Sequence, residues 1–199
     1  FKMTRPLKVA VLLKGSAAGV YKHWQYGDFV GTDISIGFEN MRHAVLDKYE
    51  CDIFMHTWRH PEQPAAKYED ILEFTSPVSY LIEDDISGAP GKDLGEKTLR
   101  TTQQVIDLYT RYVEENAVSY DLIILTRCDW WPFHELKLEK ILEDATTVRP
   151  WSDDEDAATE SLKNKIFVYS RYLNLPLTEI DKETTKEQGI DDTMVIFSP

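Results

Sequence analysis

The sequence predicts an α/β domain with a mixed, mostly parallel sheet flanked by helices on both faces. Two observations lead there. Short, nearly continuous apolar runs at Lys8–Leu13, Cys51–Trp58 and Tyr120–Thr126 read as strands buried on both sides. Longer segments with helical spacing stand between them, and strands that alternate with helices call for a sheet covered on each face. With 199 residues, 42% hydrophobic and 29% charged, the chain fits one domain spanning 1–199 with a real core.

Taken in order, Lys8–Leu13 is a buried strand closed by Lys14, Gly15 and Ser16. Ser35 to Tyr49 carries Ile36, Met41, Val45 and Leu46 at a loose helical spacing. Cys51–Trp58 is a second strand, followed by a polar loop from Arg59 to Pro64, and Pro77–Ile82 is a third. Glu83–Asp85 and Gly88–Gly91 mark a loop. Glu96 to Asn116 is the clearest helix, with Val105, Leu108, Tyr109 and Tyr112 on one face. Tyr120–Thr126 is the clearest strand. A short helix is expected at Glu135–Glu143 and an acidic loop or helix start at Trp151–Glu160. Further strands are expected at Ile166–Tyr169 and Met194–Phe197. Phe1 and Lys2 before Met3 read as a remnant ahead of the natural start. Val195–Pro199 ends as a strand finishes, so a longer chain with further domains beyond Pro199 is expected.

The formal net charge is -13, from 35 acidic and 22 basic residues. A field of that sign repels phosphate backbones and argues against nucleic-acid binding, although a few local cations can still hold a nucleotide in one cleft. No apolar stretch approaches the ~20 residues needed to cross a bilayer. Cys51 and Cys128 each lie in an apolar run and read as buried free thiols, which suits a reducing compartment.

In parallel sheets ligands bind outside the carboxyl ends of the strands. Arg127 and Asp129 stand at such an end, two residues apart, so both side chains can face one cleft. Asp129 is the candidate metal residue for Mg²⁺ or Mn²⁺ bridging a diphosphate. Arg127 can neutralise phosphate or hold the Asp, and Trp130 and Trp131 offer flat faces for a sugar. The alternative is a salt bridge between Arg127 and Asp129 that caps the strand, with the tryptophans in the core. Lys14, Gly15 and Ser16 after the first strand are candidates for phosphate contact, the glycine by close backbone approach. An ordinary tight turn explains them as well. The order of residues matches neither a Walker loop nor G-x-G-x-x-G.

Asp191 and Asp192 precede the last strand and could act as base, bind acceptor hydroxyls or complete a metal shell. A turn built on Asx chemistry is the other reading. Glu83–Asp85 is a rival metal site, lacking a neighbouring Arg or aromatic wall in sequence. His56 ends a strand at the same edge, and a lone His is more often structural. His134 is a further candidate for the cation, while none of the five histidines has zinc spacing. No G-x-S-x-G is present, and Cys128 has no base beside it.

The segments Val9–Gly15, Cys51–Trp58 and Tyr120–Asp129, with Asp191 and Asp192 before a final strand, resemble a viral and bacterial group of glycosyltransferase-like proteins. Within that group they are similar to the N-terminal domains of chlorovirus glycosyltransferases that build the capsid-protein glycan. The resemblance covers nearly the whole chain. It implies a GT-A, Rossmann-like fold, a UDP-sugar donor, Mn²⁺ or Mg²⁺, and a glycan acceptor such as a capsid glycoprotein. It implies a location in the cytoplasm of an infected cell. In its terms Lys14, Gly15, Ser16, Arg127 and Trp130 border the nucleotide sugar, and Asp129 meets the metal. Arg127 with Asp191 or Asp192 serves the transfer. One departure stands out: Arg127 occupies the place of the first acid of Asp-x-Asp. Two rival expectations remain, a carbohydrate-binding module on a degenerate transferase fold and a metal-dependent phosphatase or nucleotidyltransferase.

Overall fold

The computed structural model describes residues 5–22, 29–85, 94–129, 136–139, 166–169 and 194–197. In chain order the elements are β1 (Lys8–Gly15), β2 (Ala18–Lys22), β3 (Phe29–Asp33), α1 (Ile34–Met41) and a π-helical turn (Arg42–Leu46). Then follow β4 (Glu50–Arg59), α2 (Ala65–Thr75), β5 (Ser79–Asp84), α3 (Leu94–Asn116), β6 (Leu122–Arg127), β7 (Ile166–Tyr169) and β8 (Met194–Phe197).

The main sheet runs in the order β5-β4-β1-β6-β8-β7, while β2 and β3 form a separate antiparallel pair. The four strands β5, β4, β1 and β6 are mutually parallel, and β8 runs antiparallel to both β6 and β7. The expected mixed, mostly parallel sheet is therefore present, in a Rossmann-like arrangement. From β1 the chain steps outward to β4 and β5, and α3 then returns it to β6 on the other side of β1. The order reverses at β1, so the crevice of an open α/β sheet lies between the carboxyl ends of β1 and β6.

Alternation along the strands sends side chains to two separate cores. Val9, Val11, Leu13, Ile53, Met55, Leu122 and Ile124 meet α1, the π turn and α2 through Phe38, Val45, Tyr68 and Ile71. Ala10, Leu12, Phe54, Ile123 and Leu125 meet α3 through Val105, with Tyr109 and Tyr112 packed alongside. Helices thus cover both faces, and β1, buried on each, is apolar at every position from Val9 to Leu13.

Several boundaries differ from the sequence reading. Lys14 and Gly15 belong to β1 itself, because the ladders continue through Lys14↔His56, Gly15↔Thr57 and Lys14↔Arg127. Glu83 and Asp84 likewise lie within β5, paired with Trp58 and Arg59. The helix expected over Ser35–Tyr49 is α1, capped by the Asp33 carboxylate on the Ser35 N–H, followed by the π turn. Of the expected helix at Glu135–Glu143 only residues 136–139 are described, and Trp151–Glu160 lies outside the described residues.

The sequence reading had no place for α2 or the β2–β3 pair. The apolar stripe of α2 is thin, with Tyr68, Ile71 and Thr75 its buried residues. Tyr68 is the tie that holds this region. Its hydroxyl accepts from the His60 N–H at 2.7 Å and faces the carbonyls of Trp58 at 3.1 Å and Ala18 at 3.4 Å. Removing that hydroxyl leaves buried backbone groups unmatched. Tyr68→Phe is expected to lower stability by about 1–2 kcal/mol in urea unfolding, with an unchanged m value. A loss under about 0.5 kcal/mol would show that these backbone groups find other partners.

Candidate functional site

Three side chains form a row across the carboxyl edge of the sheet on the face that carries α3. Lys14 of β1 pairs in register with His56 of β4 on one side and Arg127 of β6 on the other. Their parity matches Leu12, Phe54 and Leu125, all of which pack toward α3. Direct cross-strand neighbours have Cβ atoms about 5 Å apart, and like charges placed so repel unless something anionic lies between or beside them. Lys14 is buried, at 5% exposure, and Arg127 is partly exposed.

Asp129 answers Arg127. The guanidinium donates Nε–H to Asp129 Oδ1 at 2.8 Å and Nη2–H to Oδ2 at 2.6 Å, a bidentate fork. The two-residue spacing places both groups on one side, as expected, and the contact is the salt bridge that the sequence offered as its alternative. Asp129 was expected to bear a metal. Both its oxygens instead accept from a guanidinium whose positive charge would repel a cation at contact distance. Among the described residues no group of three His, Cys, Asp or Glu gathers that could hold a metal ion.

The rival acids are also engaged. Glu83 accepts from Arg100 Nη2 at 2.5 Å and Nε at 3.2 Å and from His56 Nε2 at 3.0 Å, while Asp85 accepts from Lys97 at 2.6 Å. The Arg100 bonds, and after them His56, hold the Glu83 carboxyl below its usual range despite the opposing effect of burial. The Arg absent beside Glu83 in sequence is supplied from α3, 17 residues on.

His56 is fully buried, and its Nδ1 lies 2.6 Å from Thr101 Oγ1. Chemistry assigns the direction of every bond in this chain. The Glu83 carboxylate can only accept, so Nε2 carries the proton. Burial, the largest influence, draws His56 below its ordinary value against the pull of Glu83, and the neutral ring leaves Nδ1 as an acceptor. Thr101 then donates its hydroxyl proton to Nδ1, and its oxygen accepts the Gly15 N–H at 3.0 Å. A carboxylate, an imidazole and a hydroxyl in line suggest a nucleophile, yet the Thr101 oxygen already accepts the Gly15 N–H and serves the backbone of β1.

The end of β1 and the turn that follows it are pinned from both faces. Gly15 N–H is bound by Thr101 on the α3 side, and Ala17 N–H by Thr57 Oγ1 at 2.9 Å on the other. Gly15 has φ +100°, a conformation that favours glycine, and a Cβ there would meet nothing within 4 Å. The positive φ is a reason for glycine at this place whatever lies beside it. Its N–H is already used and does not point to a phosphate.

One buried polar atom among the described residues has no hydrogen-bond partner: Trp58 Nε1. The Trp58 ring stands edge-on to His56 at 4.8 Å, with Lys97 and Arg100 5.4 and 5.9 Å from its centre. Cys51 and Cys128 are free thiols. Burial pushes Cys51 up to about 12 and Cys128 also far up, so neither is a nucleophile at neutral pH.

Trp130, Trp131, His134, Asp191 and Asp192 lie outside the described residues. β8, which follows Asp191 and Asp192 in sequence, begins at Met194 opposite Thr126, at the carboxyl end of β6. Thr101 and Arg100 were missed, although a signal existed. Thr101 stands four residues before Val105, so it extends the buried stripe of α3 by one turn with a hydroxyl in place of a methyl group. No helix among the described residues is long and apolar enough to cross a membrane. No protein-family model, curated protein or solved structure matches this chain, and the geometry of the β1–β6 edge is what speaks for its function.

Proposed function

We propose that this chain is a glycosyltransferase of GT-A type that takes a UDP-sugar and passes the sugar to a glycan acceptor. The observation that carries the reading is the cross-strand pair Lys14 and Arg127 at the point where the strand order reverses. Lys14 and the Asp129-held Arg127, side by side at the ligand crevice of an α/β sheet, suit a diphosphate as charged donors. The resemblance of Val9–Gly15 and Tyr120–Asp129 to glycosyltransferase-like proteins supplies the sugar and the uridine. As the anomeric bond breaks, charge grows on the departing diphosphate, and Lys14 and Arg127 stabilise it. Asp129 sets the plane of the Arg127 guanidinium and so acts through it. Asp191 or Asp192, three and two residues before β8, is the acid for the acceptor or transferred sugar in this reading. Trp130 is the stacking face.

The Mn²⁺ or Mg²⁺ that the resemblance implies does not fit Asp129 while Arg127 holds both its oxygens, and no step here runs through a metal. Calorimetric titration of UDP, with and without Mn²⁺, tests the reading on wild type, Arg127→Gln and Asp129→Asn. A charged hydrogen bond to phosphate contributes about 1.5–3 kcal/mol, so Arg127→Gln is expected to weaken UDP by roughly 10- to 150-fold with folding intact. Asp129→Asn is expected to weaken UDP whether or not Mn²⁺ is present. If its effect appears only with Mn²⁺, Asp129 is a metal ligand after all. Absence of UDP binding to wild type under both conditions would sink the transferase reading.

A further inference from the structure

We infer that Thr101, His56 and Glu83 form a positioning chain for the end of β1 that borders the nucleotide, with Thr101 holding the Gly15 N–H. The inference rests on the UDP reading of the same crevice. The chain is continuous: Gly15 N–H donates to Thr101, the Thr101 hydroxyl to His56 Nδ1, and His56 Nε2–H to Glu83, which also accepts from Arg100. Each group has one role that chemistry allows, so the hydroxyl proton of Thr101 cannot turn toward Gly15 without leaving His56 Nδ1 unmatched.

The chain links four elements. Gly15 is on β1, His56 on β4, Glu83 on β5, and Thr101 and Arg100 on α3. Gly15 sits at φ +100°, a region glycine populates readily along with several others, so something must select it. The Thr101 oxygen does so by holding the N–H at 3.0 Å. Lys14 immediately precedes this residue, and Ser16 follows between two anchored amides, Gly15 and Ala17. The turn therefore meets a ligand in one shape, and the ordering cost is met in the folded protein before a nucleotide arrives. None of the three residues touches the ligand in this account. They are positioning residues, and Lys14 and Arg127 are the contacts.

The groups that face His56 are Glu83 from β5, Arg100 and Thr101 from α3, Lys14 from β1 and the Trp58 ring from its own strand. Burial is the main influence against a second proton on the ring; Glu83 favours that proton and Arg100 opposes it.

The test compares wild type, Thr101→Val and Thr101→Ser by UDP titration and by hydrogen exchange of the Gly15 amide, with urea unfolding to confirm folding. Thr101→Val keeps the shape and removes the hydroxyl, and is expected to weaken UDP by about tenfold and to speed Gly15 exchange. Thr101→Ser restores the hydroxyl and is expected to return both readouts to within about threefold of wild type. A purely structural role would lower the unfolding midpoint of Thr101→Val and leave its UDP affinity at the wild-type value, which would overturn the inference. Unchanged Gly15 exchange in folded Thr101→Val would overturn it as well. If wild type binds no UDP while Gly15 exchange still responds to Thr101→Val, the transferase reading fails and the anchoring of the turn stands.

Discussion

Phe54→Ala is expected to cost about 3–5 kcal/mol. Phe54 is fully buried on the α3 side of β4, and three tyrosine rings pack edge-on against it. Tyr109 lies at 5.5 Å, Tyr112 at 5.4 Å and Tyr120 at 6.1 Å between ring centres, with interplanar angles of 77–83°. Truncation removes the edge-to-face contacts, worth about 0.5–1.5 kcal/mol each beyond burial, and leaves a cavity that the rigid β4 backbone cannot close. For a chain of this size the midpoint of thermal unfolding should fall by roughly 10 °C. Urea unfolding of Phe54→Ala beside Phe54→Leu measures it, and a loss below about 2 kcal/mol would mean that α3 collapses onto the gap. The effect reaches the crevice by a short path. Val105 packs in the same cluster as Phe54, and Thr101 is one helical turn from Val105, so a displaced α3 carries Thr101 away from Gly15.

The second large effect is on acid stability. His56 is held neutral because burial lowers its affinity for a proton in the folded state. The unfolded chain, with an ordinary His value near 6.5, therefore binds more protons than the folded chain at pH values between that figure and the lowered one. Stability then rises with pH across this window. The contribution is complete above about pH 6.5 and is lost as pH falls from there through the folded-state value, at up to about 1.4 kcal/mol per pH unit. Glu83, whose carboxyl is also lowered, adds a loss with the same sign as pH falls below its ordinary value of 4.5. Unfolding free energies of wild type and His56→Gln, measured from pH 7.5 to pH 5, give the difference. The wild type should lose stability more steeply, and parallel curves would show that His56 charges without cost.

Much of the architecture could be read from local pattern. β1, β4 and β6 are apolar runs of the length a buried strand needs, and α3 carries a clean stripe over 23 residues. Such signals are strong because each residue answers to the same burial requirement on its own. α2 and the β2–β3 pair lacked that redundancy. Their stability comes from partners distant in sequence, such as the Tyr68 hydroxyl reaching the Ala18 carbonyl across 50 residues.

The site divides the same way. Arg127 and Asp129 could be placed on one cleft because two residues on an extended chain share a side, and their fork follows from that spacing. Lys14 beside Arg127, Thr101 beneath Gly15, and Arg100 upon Glu83 join residues 113, 86 and 17 positions apart. Backbone ladders are nearly indifferent to side-chain identity, so the apolar runs specify that strands form without specifying which strand lies next to which. The packing of α3 across β1, β4 and β5 chose the order β5-β4-β1-β6. That order turned three polar side chains at separate strand ends into one row, and it brought the hydroxyl of a helix to the turn after β1.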